Sequence, residues 1–152
     1  MMENWKKYSP LALRLGIAVV FLWFGFSQLK NPGSWTRMMP EYVQSIMPLS
    51  PNTLIYINGL FEILLAIFLL LGIYTRASSL LLSLHLLHIV TIVGYGAVGA
   101  RDLALALAAF AIFLNGADEF CLDSIRKLKE IHKKESPKKE VQSQPNSHPQ
   151  SL

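Results

Sequence analysis

The sequence predicts an all-α membrane protein, a four-transmembrane-helix bundle with a short amphipathic segment after the first helix. Three observations carry that prediction. Apolar residues make up 52% of the 152-residue chain and charged residues only 16%, against about 25% charged in soluble domains. The charges crowd the two ends of the chain. Between them lie four apolar runs, about 11–29, 54–74, 77–95 and 102–120, each close to the ~20 helical residues that cross a bilayer's hydrocarbon core. The chain therefore divides into an N-terminus 1–10, a membrane domain 11–123 and a basic polar tail 124–152.

The first run follows Lys6 and Lys7 and has the outline of a signal sequence. It is longer than a typical signal core and no Ala-x-Ala site follows it, so an uncleaved first span is expected, anchored by Trp5 and Tyr8 at the interface. Arg14 sits one turn inside and can snorkel back to the headgroups. Pro32, Pro40, Pro48 and Pro51 forbid a long helix between Asn31 and the second run. Trp35, Met38, Met39, Tyr42, Ile46 and Met47 nonetheless recur at helical offsets, which fits either short amphipathic turns interrupted at Pro40 or a loop with aromatic anchors.

The second and third runs are joined only by Thr75-Arg76, so they must be antiparallel neighbours. Ser78, His85, His88 and Tyr95 share one stripe of the third run, which is expected to face protein. Gly94, Gly96 and Gly99 mark a turn. Asp102 is then placed to cap the start of the fourth run. Its small Ala side chains favour close helix packing in lipid. With four spans, eleven of the fourteen Lys and Arg residues fall on the side of the termini, leaving Lys30, Arg37 and Arg101 on the other. The positive-inside rule then puts both termini in the cytoplasm of a plasma-membrane protein. The tail is expected to be disordered from about residue 136.

Composition also excludes. No aromatic-rich basic surface accompanies the net charge of +4, so nucleic acid is not an expected partner; the lipid bilayer is. The single cysteine, Cys121, allows neither an intramolecular disulfide nor a Cys-x-x-Cys redox pair. No fingerprint for flavin, nicotinamide, haem or an iron–sulfur cluster is present.

The chemistry-bearing residue is Glu62, a lone carboxylate roughly 12 Å along the second run. A charge at that depth is costly and marks either a functional site or a buried partner. His88 and His85, seven and ten residues from the outer end of the third run, fall at a similar depth. Three readings are open. Glu62 and the histidines can simply satisfy one another and fix helix faces. They can bind, or exchange protons with, a small lipophilic molecule such as a quinone. They can ligate metal, against which two points stand. Histidines at i and i+3 cannot be opposite axial ligands of one haem, and a di-iron bundle needs further glutamates within the spans. Asn58 lies one turn before Glu62 on the same face. Arg14, Arg76 and Asp118 are expected to meet in a salt bridge near the cytoplasmic face.

Several segments together resemble the DoxX-like membrane proteins. Gly59-x-x-Glu62 followed by Leu71-Gly72-x-x-Thr75-Arg76 is similar to that family's G-x-x-E…LG-x-x-TR pattern. Arg14-Leu15-Gly16, Phe24-Gly25-Phe26-Ser27-Gln28-Leu29, Arg101-Asp102 and the closing Gly116–Asp123 segment support it, with Gln28, Asp118 and Cys121 departing from the family pattern. The resemblance implies a four-helix membrane protein described as an oxidoreductase or as a subunit of a quinol oxidase or redox-stress complex. The expectation is a redox-linked subunit that handles a quinone-like molecule or supports a partner oxidoreductase. Its site is expected at Glu62, His85 and His88, with Asn58, Arg76, Arg101 and Asp102 as family-motif binding positions and no metal. A small proton-coupled transporter, usually a homo-oligomer, and a non-catalytic membrane anchor are the alternatives.

Overall fold

The computed structural model describes residues 6–46, 48–94, 96–124 and 129. Trp5, Met47, Tyr95 and the tail expected to be disordered fall outside them. Among the described residues six helices follow in order: α1 (Tyr8–Lys30), α2 (Pro32–Thr36), α3 (Glu41–Ile46), α4 (Pro51–Leu71), α5 (Thr75–Val93) and α6 (Ala97–Asn115). The long ones, α1, α4, α5 and α6, are each long and apolar enough to cross a membrane. The short pair α2 and α3 forms the segment after the first span and is divided at Pro40, where the ring removes a backbone donor.

Local chemistry sets the ends of α4. Ser50 opens it, its Oγ accepting the Thr53 amide at 3.3 Å, and Pro51 occupies the first turn, where its missing N–H costs nothing. Gly72 closes it in the left-handed region at φ 68°. The Gly72 amide reaches Leu69 O at 3.2 Å and the Ile73 amide reaches Phe68 O at 2.9 Å, the paired bonds of a Schellman cap. A side chain at Gly72 would also strike the Cys121 backbone, whose Cα would be 2.7 Å from its Cβ. That contact arises because the chain after α6 folds back over the α4–α5 turn. The Asp123 amide bonds Gly72 O at 3.1 Å, and Asp123 Oδ2 accepts the Thr75 amide at 3.0 Å. Asp123 thus caps α5 from 48 residues away.

The sequence assigned such a capping role to Asp102, and here the structure corrects it. α6 starts at Ala97, so Asp102 is inside the helix and buried. The glycines that read as a turn extend into the helix, because Gly99 abuts the Gly94 carbonyl and only a residue without Cβ fits there.

The helices associate most closely as two pairs, α1 with α4 and α5 with α6. Lipid removes most hydrophobic drive between helices, so small residues and close backbone approach do the holding. Gly25 and Gly59 face each other: a Cβ on Gly25 would lie 2.7 Å from Gly59 O, and one on Gly59 would lie 3.0 Å from Gly25 O. α5 and α6 bury the small residues Ser79, Ser83, Ala106 and Ala109. The pairs meet in one core drawn from all four long helices, with Phe21, Leu65, Leu69, Leu82 and Leu86 at its centre. Outward-facing Val19, Trp23, Leu60, Leu107 and Leu114 are exposed, the surface a lipid-facing bundle requires.

Gly25→Ala forces α1 away from α4, since its Cβ meets the Gly59 carbonyl as well as the Ile63 side chain, and the backbone cannot swing aside. Thermal unfolding in detergent micelles should show a loss of about 1–3 kcal/mol; an unchanged Tm would refute the close-packed interface.

Candidate functional site

Polar side chains are buried at two levels of the bundle. At the end where α1 begins and α6 finishes, Arg14 is buried and its Nε donates to Asp118 Oδ2 at 2.8 Å. Its Nη1 donates to the carbonyls of Leu69 and Leu70 at 2.7 and 2.9 Å. Those carbonyls belong to the last turn of α4. Burial alone would raise the Asp118 carboxyl, but the Arg14 bonds and charge, with the Phe120 amide at 2.9 Å, hold it below its ordinary 3.8. Beside it the Cys121 thiol is pushed up, chiefly by burial.

Arg76 stands at this same end but stays exposed, and among the described residues it joins no salt bridge. Its guanidinium lies against Gly116, where a Cβ would come within 2.8 Å of Nε. Arg76 therefore lies apart from Glu62, about nine residues or ~14 Å down the length of α4.

The second level lies under a cavity of about 240 Å³. Glu62 is only 1% exposed. Its Oε2 accepts from Gln28 Nε2 at 2.8 Å and its Oε1 from Asn58 Nδ2 at 3.1 Å. Asn58 Nδ2 also donates to Gln28 Oε1 at 2.8 Å, which closes a ring of three side chains across the Gly25–Gly59 contact. His85 Nε2 stands 3.6 Å from Glu62 Oε1, too far for a hydrogen bond. That nitrogen is buried and has no hydrogen-bond partner among the described residues. Its ring packs on Phe61 with centroids 5.0 Å apart.

The other walls are aromatic and apolar. Trp35 of α2 meets Phe24 edge-on at 5.8 Å and donates from Nε1 to Ser27 Oγ at 3.2 Å, which ties the short helix over the cavity. Arg101 lies across the Phe24 ring, its Cζ 4.7 Å from the centroid, and donates from Nε to Asp102 Oδ1 at 2.7 Å. Both Arg101 and Asp102 line the cavity.

Glu62, Asn58, His85, Arg101 and Asp102 are thus gathered around one cavity, while His88 reaches it only from an exposed position. A step of three residues turns a helix by 300°, which leaves His88 about 60° from the His85 direction. The expectation that the whole stripe faces protein therefore fails at His88. Gln28, which completes the carboxylate's cradle, was absent from the expected site. Its signal was available as the only uncharged amide within the first run, although span-depth counting compared only the second and third. Among the described residues no group of three or more His, Cys, Asp or Glu is placed to hold a metal ion.

The DoxX family model matches residues 9–95, more than half of the chain. The chain belongs to the DoxX family. No curated protein and no solved structure matches it. The segment matched by the family model contains Gln28, Asn58, Glu62 and His85 and stops before Arg101 and Asp102. Family membership and the four apolar helices together make this a multi-pass membrane protein.

Two outcomes follow from these clusters. Asp118→Asn leaves Arg14 buried without its counter-charge and should cost about 3–5 kcal/mol in thermal unfolding. In the unsubstituted protein the Asp118 carboxyl is lower in the folded state. Its contribution is therefore present above the ordinary value of 3.8 and is lost as pH falls through the depressed folded value. Tm measured against pH should fall in that acid window, and Asp118→Asn should flatten the decline. Separately, Gln28→Leu strips a donor from Glu62 and an acceptor from Asn58; a loss of about 1–3 kcal/mol is expected, and a neutral result would contradict the hydrogen-bonded ring.

Proposed function

We propose that this DoxX-family protein is a redox-linked membrane subunit. Its cavity holds the ring of a quinone-like molecule that exchanges electrons with a partner oxidoreductase. One observation supports this most: a buried imidazole nitrogen without a partner stands beside a fixed carboxylate and faces an aromatic-walled cavity. A buried polar atom without a partner is costly, and a ligand oxygen at His85 Nε2 removes that cost. The volume lies just under the ~300–1,000 Å³ of common small-molecule sites. It suits a head group of one or two fused rings whose apolar tail runs out between helices.

When bound, such a molecule takes up two electrons and two protons to become the hydroquinone, the electrons coming from the partner. The chain's own residues serve the proton side. His85 Nε2 gives or takes a proton at the ring oxygen, and Glu62 Oε1, 3.6 Å away, is the next acceptor. Gln28 and Asn58 keep the carboxylate oxygens in place. Trp35 and the short helix α2 keep water from the ring. With the Lys and Arg excess on the side of the termini, the reading puts both termini in the cytoplasm of a plasma-membrane protein and the cavity toward the outer face.

Purification in native lipid followed by quinone extraction tests the proposal. Wild-type protein should retain quinone and Glu62→Gln should lose it, with the fold kept because the amide replaces the acid at the same size. Loss of Tm with retained quinone would reduce Glu62 to a structural role. Quinone-independent proton flux in liposomes, abolished by Glu62→Gln, would instead identify a transporter.

A further inference from the structure

The cavity's polar groups differ in how far their bonding capacity is used. Both carboxylates are engaged: Glu62 by two amide donors and Asp102 by Arg101. The unengaged capacity lies on Arg101 and His85. Arg101 donates only through Nε among the described residues, which leaves its Nη1 and Nη2 hydrogens free at a side chain 39% exposed. The Phe24 ring, 4.7 Å from Cζ, holds the guanidinium at the cavity wall. His85 Nε2 is the second group without a partner.

These two are not at one height. His85 stands eight residues before the end of α5 and Arg101 four residues after the start of α6. Since the helices are antiparallel neighbours, the two differ in depth by roughly 6 Å. A single carbonyl meets one of them; a ring with oxygens on opposite edges meets both.

Fixed charge narrows the choice further. Glu62 and Asp102 oppose Arg101 alone, so the wall carries a net negative charge whenever the histidines are neutral. A ligand anion would enter against that charge in a low-dielectric setting, where like charges are strongly disfavoured.

We infer that Arg101 is a second anchoring residue for a neutral ring diketone, while the surplus negative charge of Glu62 and Asp102 turns away its ionised hydroxy analogue. One oxygen is held by the Arg101 Nη donors and the other by His85 Nε2. The inference rests on the quinone reading proposed above and adds to it the form of head group accepted and a second residue that anchors it.

The test measures binding of 2-methyl-1,4-naphthoquinone and of 2-hydroxy-1,4-naphthoquinone, an anion at neutral pH. Purified full-length protein in nanodiscs is used, with tryptophan quenching as the readout. Wild type should bind the neutral compound at least about tenfold more tightly, as expected where the anion meets a net negative wall. Arg101→Lys keeps a cation opposite Asp102 and so protects folding, but it lacks the free forked donors. It should weaken the neutral quinone by about tenfold. His85→Leu should weaken it as well, and the double variant should show whether the two oxygens are held independently. If Arg101→Lys binds as wild type does, or the anion binds as tightly as the neutral compound, this inference is overturned while the quinone reading stands. If wild type binds neither compound, both fall.

Discussion

The structure depends on keeping one carboxylate inside a span of apolar helix. The hydrocarbon core of a bilayer offers no donors of its own, so Glu62 draws on the protein, and it finds them in amides rather than in a cation. Gln28 belongs to α1 and Asn58 to α4 itself, so the ring they form only closes when α1 and α4 touch backbone to backbone. The glycines supply that approach. Gly59 lies one turn of helix from Glu62, and the Gln28 Cβ is among the atoms that crowd the space over it. Glycine packing and carboxylate burial are therefore one arrangement. A side chain at either glycine would separate the helices and pull Gln28 from its acceptor.

The same arrangement explains why much of the fold was legible in the sequence while part of the site was not. Four apolar runs and the two-residue link at Thr75-Arg76 dictate antiparallel spans whatever the details. Depth counting along the second and third spans put Glu62 and His85 at one level, and they lie 3.6 Å apart. Counting failed for Gln28 because α1 ends early. Gln28 is two residues from the end of α1, whereas Glu62 is eleven residues from the start of α4. α4 thus rises past α1 by roughly 13 Å, and α2 lies beside it there. No count from helix ends reveals that offset, because it is filled by α2 packed on α4. Asp102 was misread for a related reason. Glycine near an aspartate reads as turn and cap, yet Gly99 is there for closeness. The cap of α5 comes from Asp123, beyond any local window.

Two buried polar clusters in one small bundle invite the same explanation, but their bonding separates them. At the end bearing Arg14, the guanidinium reaches a carboxylate and the carbonyls of Leu69 and Leu70 in the last turn of α4, and Asp118 takes an additional amide. The cation is spent on acceptors at a helix end, which is what a structural clasp needs. At the cavity end the carboxylates are satisfied, whereas an imidazole nitrogen and the outer guanidinium donors are not. A cluster evolved only to join helices gains nothing from leaving a buried imidazole nitrogen unmatched, since it exacts a desolvation cost without return. Unmatched donors around a cavity instead describe the complement of a molecule rich in acceptor oxygens. That asymmetry, more than the mere depth of Glu62, is what turns a costly buried charge into a binding site.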